Sequence, residues 1–334
     1  MDRHLLSIRH LHKEEIEELL TLASDFKERI QQDRPLPEMQ KRSIGLLFFE
    51  GSTRTRVSFE QAAHHLDFRI INFAGTSKAG FSRETLKDTV LTLRHERVEG
   101  LIMRHHCSGA AMLAARYFGG PVINAGDGNH EHPTQALADA LTILERKGKI
   151  KGLRVAIVGD VDGSRVARSN AWLLSKVGAE VRFVGPRSLM PCHTGKIPGT
   201  VYYDLASGIE GADVIMSLRM LKSRTSDNML GSLREYSNLY QVNRSNLGLA
   251  KKDCLVMHPG PVNRGIEVDD LVADSSHSAI TQQVENGIFV RMAALYWVFQ
   301  KDIASKRTSP AQPSEKLKNV SNKGEQKQQK GELK

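Results

Sequence analysis

The chain has 334 residues, 40% of them hydrophobic and 25% charged, an ordinary globular balance with room for two domains. Its net charge is +9, but residues 305–334 hold eight Lys or Arg against three Glu, so that stretch carries +5 and the other 304 residues only +4. The basic balance is therefore largely a tail property and points away from nucleic acid as a partner of the body.

Taken in order, Ile16, Leu19, Leu20, Ala23, Phe26 and Ile30 recur at helical spacing with Glu and Lys between them, which predicts an amphipathic helix packed on a core. The apolar run 44–49 reads as a buried strand and 57–63 as the start of a helix, with Ser52-Thr53-Arg54-Thr55-Arg56 between them. A strand that stops at hydroxyls and opens into a helix suits an anion. First-turn N–H groups lack intrahelical partners, the dipole adds positive charge, and Arg54 offers a planar fork. A plain helix cap is the simpler alternative, but a cap needs one hydroxyl and this stretch offers three with two arginines.

A second strand is predicted over 68–73, a loop over 75–83, and a helix through Leu86, Val90 and Leu93 with Ser82 as its cap and Thr85 beside its first turn. Residues 101–104 form a short strand ending in Arg104, followed by His105-His106 and a helix over about 109–118. Another strand at 121–125 breaks at Gly126-Asp127-Gly128, and His132-Pro133-Thr134-Gln135 opens a helix to about Lys147, with Pro133 at a tolerated first-turn position. Strands alternating with helices make this half a parallel α/β domain. Gly148–Gly152 is the boundary. Beyond it come strands at 153–160, 181–184, 212–219 and 253–258, a helix near 164–177, a loop at Pro259-Gly260-Pro261, and a long helix carrying Ile280, Val284, Ile288, Met292, Leu295 and Phe299. From about Ser305 the composition is too polar to bury a core and predicts disorder, a solubilising extension.

Ligands of parallel sheets gather at the carboxyl ends of strands. Ser52, Thr53, Arg54, Thr55, Arg104, His132, Gln135, Arg165, Arg219 and the 258–261 loop all follow predicted strands or open helices, which describes a crevice for a ligand with several negative charges. The turn Gly159-Asp160-Val161-Asp162-Gly163 lacks GxGxxG spacing, so it is read as a tight strand-to-helix turn and no nicotinamide cofactor is expected. His106, His130 and His132 have no zinc-type spacing, so no metal is expected either. Cys107, Cys192 and Cys254 show no CxxC pattern and fit a reducing cytoplasm. The N-terminus does not resemble a signal peptide, and no apolar run reaches the roughly 18 residues of a membrane span.

Three strings, Ser-Thr-Arg-Thr-Arg at 52–56, His-Pro-Thr-Gln-Ala-Leu at 132–137 and Met-His-Pro-Gly-Pro-Val-Asn-Arg-Gly at 257–265, resemble the transcarbamoylases, and most closely the aspartate carbamoyltransferase catalytic chains. Gly159-Asp160, the run 164–170 and Phe183-Val184-Gly185-Pro186 match as well, and the resemblance spans about residues 4–300. The ornithine enzymes carry His-Cys-Leu-Pro where this chain has His258-Pro259-Gly260-Pro261. The resemblance implies an α/β chain of two Rossmann-like domains, each a parallel sheet flanked by helices. These would be 1–148 for carbamoyl phosphate and 149–283 for aspartate, with a final helix, 284–304, returning to the first domain and a basic tail at 305–334. It implies a cytoplasmic homotrimer with active sites at subunit boundaries, open to larger assembly with regulatory or pathway subunits, and no cofactor.

By the same resemblance Ser52, Thr53, Arg54 and Thr55 hold the phosphate, and Arg104, His132 and Thr55 face the carbamoyl oxygen. Gln135 and the carbonyls of Pro259 and Gly260 face the carbamoyl nitrogen, and Arg165 and Arg219 each take a carboxylate of aspartate. Two positions depart from the family. Ser82-Arg83-Glu84 stands where a Lys-Gly-Glu reaches the neighbouring subunit, with Lys78 near the place of an earlier serine. Arg219-Met220-Leu221-Lys222-Ser223-Arg224 stands where Arg-Val-Gln-Lys-Glu-Arg is usual, so Leu221 replaces a glutamine that helps hold aspartate. These departures leave three readings open: an aspartate carbamoyltransferase with a rearranged loop, a transcarbamoylase for another amine, and a non-catalytic carbamoyl-phosphate-binding or assembly paralogue.

Overall fold

A computed structural model describes residues 3–74, 84–192, 194–220 and 229–308. β1 (Ser43–Phe48) is buried along its whole length and pairs on one side with β2 (Arg69–Ala74) and on the other with β3 (Gly100–His105). β4 (Val122–Asp127) completes a parallel sheet of order β2-β1-β3-β4. The second sheet, β7-β6-β5-β8-β9, is parallel throughout, built from β5 (Arg154–Val158), β6 (Glu180–Val184), β7 (Thr200–Tyr202), β8 (Val214–Ser217) and β9 (Leu255–Met257). Helices cover the faces of parallel sheets, so the inner strands read as unbroken apolar runs, which is why β1, β5 and β8 stand out in the sequence.

The helices of the first half are α1 (Lys13–Gln31), α2 (Thr53–His65), α3 (Leu86–His95), α4 (Ala110–Phe118) and α5 (Pro133–Lys147). The second half opens with α6 (Arg165–Lys176) and α7 (Leu205–Ile209). Several predicted limits move. α2 begins at Thr53, so Thr53–Arg56 form its first turn rather than a segment ahead of it. Thr85, not Ser82, caps α3, its hydroxyl accepting from the Asp88 amide at 3.2 Å; Ser82 and the predicted loop at 75–83 lie outside the described residues. β4 continues through Gly126 and Asp127 instead of breaking there. β7 and α7 are absent from the sequence reading, because three and five residues are too few for a periodic pattern to declare itself. The last helix, Ile280–Thr308, runs past Ser305, and the rest of the predicted tail lies outside the described residues.

That last helix packs against the first half of the chain. The Trp297 indole N–H donates to Glu18 on α1 at 2.8 Å, Tyr296 meets Phe26 edge-on at 5.7 Å, and Phe299 lies 5.2 Å from Phe68. Phe299 also covers Gly100 at the start of β3, where a Cβ would come within 2.5 Å of its ring. Among the described residues no helix is long and apolar enough to cross a membrane.

Gly100→Val is expected to lower stability by about 1–3 kcal/mol through overpacking, and Phe299→Leu in the same background to recover part of the loss. Thermal melts of the two variants check this, and an unchanged midpoint for Gly100→Val would deny the close approach.

Candidate active site

Each sheet reverses its winding once, between β1 and β3 in the first and between β5 and β8 in the second. Crevices open at the carboxyl ends of strands beside such reversals. Arg54 follows β1, Arg104 is the next-to-last residue of β3, Arg165 opens α6 after β5, and Arg219 follows β8. All four line one cleft of about 740 Å³, with Ser52, Thr53, Thr55, His132, Gln135, Pro259 and Gly260 in the same wall. Every site residue named from the sequence is therefore gathered at one place. Arg291, Glu50 and Asp160 also line it, making five guanidiniums against two carboxylates.

The phosphate-type turn is built as the sequence suggests, with one addition. Ser52 is the residue ahead of α2, yet its side chain makes no capping bond, whereas Ser164 caps α6 by accepting from the Ala167 amide at 3.1 Å. The Ser52 hydroxyl and the first amides of α2 are left facing the cleft, where an anion satisfies both. Arg54 lies against the 258–261 loop. Gly260 adopts φ +68°, and a Cβ there would fall 2.3 Å from Arg54 Nη1, so glycine is needed for both backbone conformation and space. The Gly260 amide donates to His258 Nδ1 at 2.8 Å, and the His258 amide donates to Gln283 at 2.9 Å, which fixes the loop. Burial and the nearby Arg54 and Arg219 push the His258 pKa down to about 3, so its ring is a neutral strut. Partial burial and the neighbouring Arg219 hold Arg54 below the usual arginine range.

Glu50 joins the two sheets' cations. Its Oε1 accepts from Arg104 Nε at 2.7 Å and from Arg165 Nη2. Arg104 Nη1 also donates to the Thr55 hydroxyl at 3.3 Å and to the Ala125 carbonyl at 3.2 Å, and Arg165 Nη1 to the Gly128 carbonyl at 3.2 Å. Desolvation and Arg165 lower the Arg104 pKa to about 10, with Glu50 opposing them. At pH 7 Arg104 is still a full cation, held rigidly where few waters screen it.

His132 stands ahead of α5 and is buried. Its amide donates to Ser169 Oγ at 2.9 Å, and Ser169 donates to Glu131 at 2.9 Å. Glu131 in turn accepts the Ile8 amide at 2.8 Å and the Ser7 hydroxyl, so the imidazole's backbone is tied to the N-terminal segment and to α6. Burial, then Arg104, Arg291 and Arg165, lower the His132 pKa well below its usual value. A neutral imidazole beside guanidiniums donates a hydrogen bond without adding charge. One turn along α5, Gln135 Nε2 donates to the buried Asp139 at 2.8 Å, and Asp139 also accepts from Gln283 at 2.8 Å and Asn170 at 2.7 Å. One N–H of Gln135 is thereby committed, and its carbonyl oxygen accepts no hydrogen bond from the described residues.

Sequence reasoning missed Glu50, Asp139 and Arg291. Glu50 lies between β1 and α2, two residues before Ser52, and an anion site is sought through cations and hydroxyls rather than a carboxylate. Asp139 and Arg291 are charges set among apolar neighbours on helices, Ala138 and Ala140 for one, Val290 and Met292 for the other, and that mismatch is the signal that could have found them. The glycine turn 159–163 is a strand-to-helix connection, stapled by the Gly163 amide donating to Asp160 at 2.9 Å. Among the described residues the one metal-type cluster is His105, His106 and Cys107, with ligand atoms within 4.8 Å of one another. The two rings stack at 4.3 Å and 22°, so their lone pairs run alongside rather than converge, and His105 Nδ1 already accepts the Cys107 amide at 2.8 Å. Leu221 lies outside the described residues.

Residues 3–145 match the family model "aspartate/ornithine carbamoyltransferase, carbamoyl-P binding domain", and residues 151–298 match its "Asp/Orn binding domain". The aspartate carbamoyltransferase catalytic subunit of Sorangium cellulosum is 47% identical over 295 residues, 88% of this chain and 92% of the relative. That of Rhodospirillum rubrum is 48% identical over 309 residues, 92% of this chain and 97% of the relative. Among solved structures, ornithine carbamoyltransferase from Pyrococcus furiosus superposes with a TM-score of 0.81 at 30% identity, covering 88% of this chain and 96% of its own. Aspartate transcarbamoylase from Trypanosoma cruzi in complex with N-(phosphonacetyl)-L-aspartic acid does so at 0.79 and 31%, covering 88% and 95%.

The electrostatics of the cleft set an order of titration. Asp127, bonded to His130 at 3.1 Å, raises the His130 pKa, while burial and guanidiniums lower those of His132 and His258. In a nitrogen-detected NMR titration His130 should protonate first as pH falls, with His132 and His258 still neutral at pH 6. Asp127→Asn should return His130 toward 6.5; in the wild type the raised histidine contributes stability that is full below 6.5 and is lost as pH rises through its raised native value. A His132 midpoint near 6.5 would show that neither burial nor the guanidiniums depress it.

Proposed function

We propose that this chain, which belongs to the aspartate/ornithine carbamoyltransferase family, transfers the carbamoyl group of carbamoyl phosphate to the amine of L-aspartate. The products are N-carbamoyl-L-aspartate and phosphate, a step of pyrimidine biosynthesis. The observation that carries this reading is the convergence of Arg54, Arg104, Arg165 and Arg219 from four strand ends on one cleft. Two polyanions meet there, the phosphate on the first sheet's side and a dicarboxylate on the second's.

The roles follow from where charge develops. The amine nitrogen attacks the carbamoyl carbon, negative charge builds on the carbonyl oxygen, and the carbon–oxygen bond to phosphate breaks. Arg104, Thr55 and neutral His132 are the donors for that oxygen, and losing one such donor typically costs roughly 10²–10³ in rate. Ser52, Thr53, Arg54 and the α2 amides receive the departing phosphate, which is itself a sufficient base for the amine's proton. Gln135 accepts from the carbamoyl nitrogen through its free oxygen, joined by the carbonyls of Pro259 and Gly260. Arg165 and Arg219 take the two carboxylates, Arg165 exchanging Glu50 for substrate. No covalent nucleophile is required, because holding both anions in attacking geometry supplies much of the acceleration.

In this reading residues 1–148 and 149–283 divide the two substrates, 284–304 return to the first, and the working unit is a cytoplasmic homotrimer whose sites lie at subunit boundaries. The amine is the less secured half. Leu221 cannot donate the hydrogen bond that a glutamine would, which favours a second reading in which a less polar amine is the acceptor.

Radiolabelled carbamoyl phosphate with a panel of amines decides between them. Rapid formation of carbamoylaspartate is expected, product with another amine alone would shift the acceptor, and binding without product from any amine would leave a non-catalytic paralogue. Arg54→Ala should abolish carbamoyl phosphate binding in calorimetry while the melting temperature holds, and unchanged binding would remove the phosphate assignment. Ser82→Lys should raise kcat/KM; no gain would point to compensation by Arg83 or Lys78, or to another function.

A further inference from the structure

Arg291 has no part in the roles above, and its setting is unusual for a cation. It lies on the last helix, is 4% exposed, and is in the wall of the cleft. Its Nη1 donates to Ser58 Oγ at 2.9 Å, its Nε has no acceptor among the described residues, and no described carboxylate lies within ion-pair distance. The slot that holds it is shaped for a guanidinium. Gly287, one turn earlier, leaves space that a Cβ would close to 2.3 Å from Nη1, and the Phe59 ring lies 5.2 Å from the guanidinium carbon. Ser58 is one helical turn beyond Arg54 on α2, so the contact reaches the same short helix whose first turn faces the cleft.

An unpaired buried cation is normally removed or neutralised, because desolvation is costly and nothing offsets it. An apolar side chain in the slot would cost less. The arrangement makes sense if an anion enters the cleft and supplies the missing partner charge. Burial, then Arg104, draw the Arg291 pKa down to about 10, with Asp139 opposing, so the group remains charged at neutral pH.

We infer that Arg291 is a positioning residue of the phosphate-binding turn: it anchors α2 through Ser58 and, with no ion pair of its own, leaves charge available to the doubly negative phosphoryl group. The inference rests on the reading that the cleft takes carbamoyl phosphate. It differs from the role of Arg54, which touches the ligand, because Arg291 acts through α2 and through its field.

The test is equilibrium binding of inorganic phosphate and of carbamoyl phosphate to the full chain by calorimetry, with melting temperatures and steady-state kinetics alongside. Arg291→Met removes the charge and keeps an unbranched stem. Arg291→Gln removes the charge and keeps a donor for Ser58, and serves if the Met variant does not fold. Both should weaken phosphate binding ten- to a hundred-fold and raise KM for carbamoyl phosphate far more than KM for aspartate, with the melting temperature unchanged or higher. Arg291→Lys should recover much of the affinity. A merely structural arginine would show the opposite pattern, a lower melting temperature with phosphate affinity untouched, and that result in Arg291→Gln overturns the inference alone. A wild-type chain that binds no phosphate overturns the reading of the cleft and this inference with it.

Discussion

Crowding like charges into one crevice is the constraint that the rest of this structure serves. Two unit charges about 4 Å apart repel by roughly 4 kcal/mol at an effective dielectric near 20, and five guanidiniums share the wall of this cleft. Without ligand the repulsion is moderated mainly by Glu50, which bonds Arg104 from the first sheet and Arg165 from the second. Glu50 thus occupies two of the cleft's guanidiniums, and an entering anion competes with an internal one. The other guanidiniums have weaker compensation. Arg54 and Arg219 form no ion pair among the described residues, and each is close enough that Arg219 depresses the Arg54 pKa.

The fold makes such crowding affordable by carrying each charge on a different strand end. A parallel sheet with one reversal delivers two side chains to the same crevice without placing them adjacent in sequence. Two such sheets deliver four, each backed by its own hydrogen-bonded strand. The supporting layer is polar and saturated: Glu131 bonds the N-terminal segment and Ser169, and Asp139 collects amides from Gln135, Asn170 and Gln283. Both carboxylates are essentially fully buried, so each is held by donors rather than by water. Rigid groups behind the arginines mean that little reorganisation is needed as charge shifts during reaction.

What could be read from the chain alone divides along physical lines. Buried strands such as β1 and β5 are long apolar runs, and the strand-end placement of Arg54, Arg104, Arg165 and Arg219 follows from them directly. β7 and α7 escaped because they hold too few residues to show a period. The start of α2 was placed late because hydroxyls and arginines suggest a turn, while the backbone treats Thr53–Arg56 as helix already. Glu50 and Asp139 escaped for a different reason. Their importance lies in what they hold, and partners 115 and 31 residues away in sequence are visible only once the sheets are assembled. Arg291 was hidden by the apolar stripe around it, since a period that fits a core helix distracts from the one position that contradicts it.

The two halves of the cleft are not equally prepared. On the α2 side, Thr55, Arg104, His132 and the 258–261 loop are fixed by backbone amides, carbonyls or buried side chains. On the second sheet's side Arg165 is engaged by Glu50 and Arg219 is exposed with no partner among the described residues. Charge density explains the asymmetry. A phosphoryl group presents a small, invariant, doubly charged tripod that a rigid cradle matches once and for all. An amino acid is larger, differs from its competitors only in its side chain, and is better discriminated by groups that must leave one partner to gain another. On that account a substitution on the second sheet's side would retune selectivity, whereas one in the α2 turn would remove donors for the anion that offsets the crowded arginines.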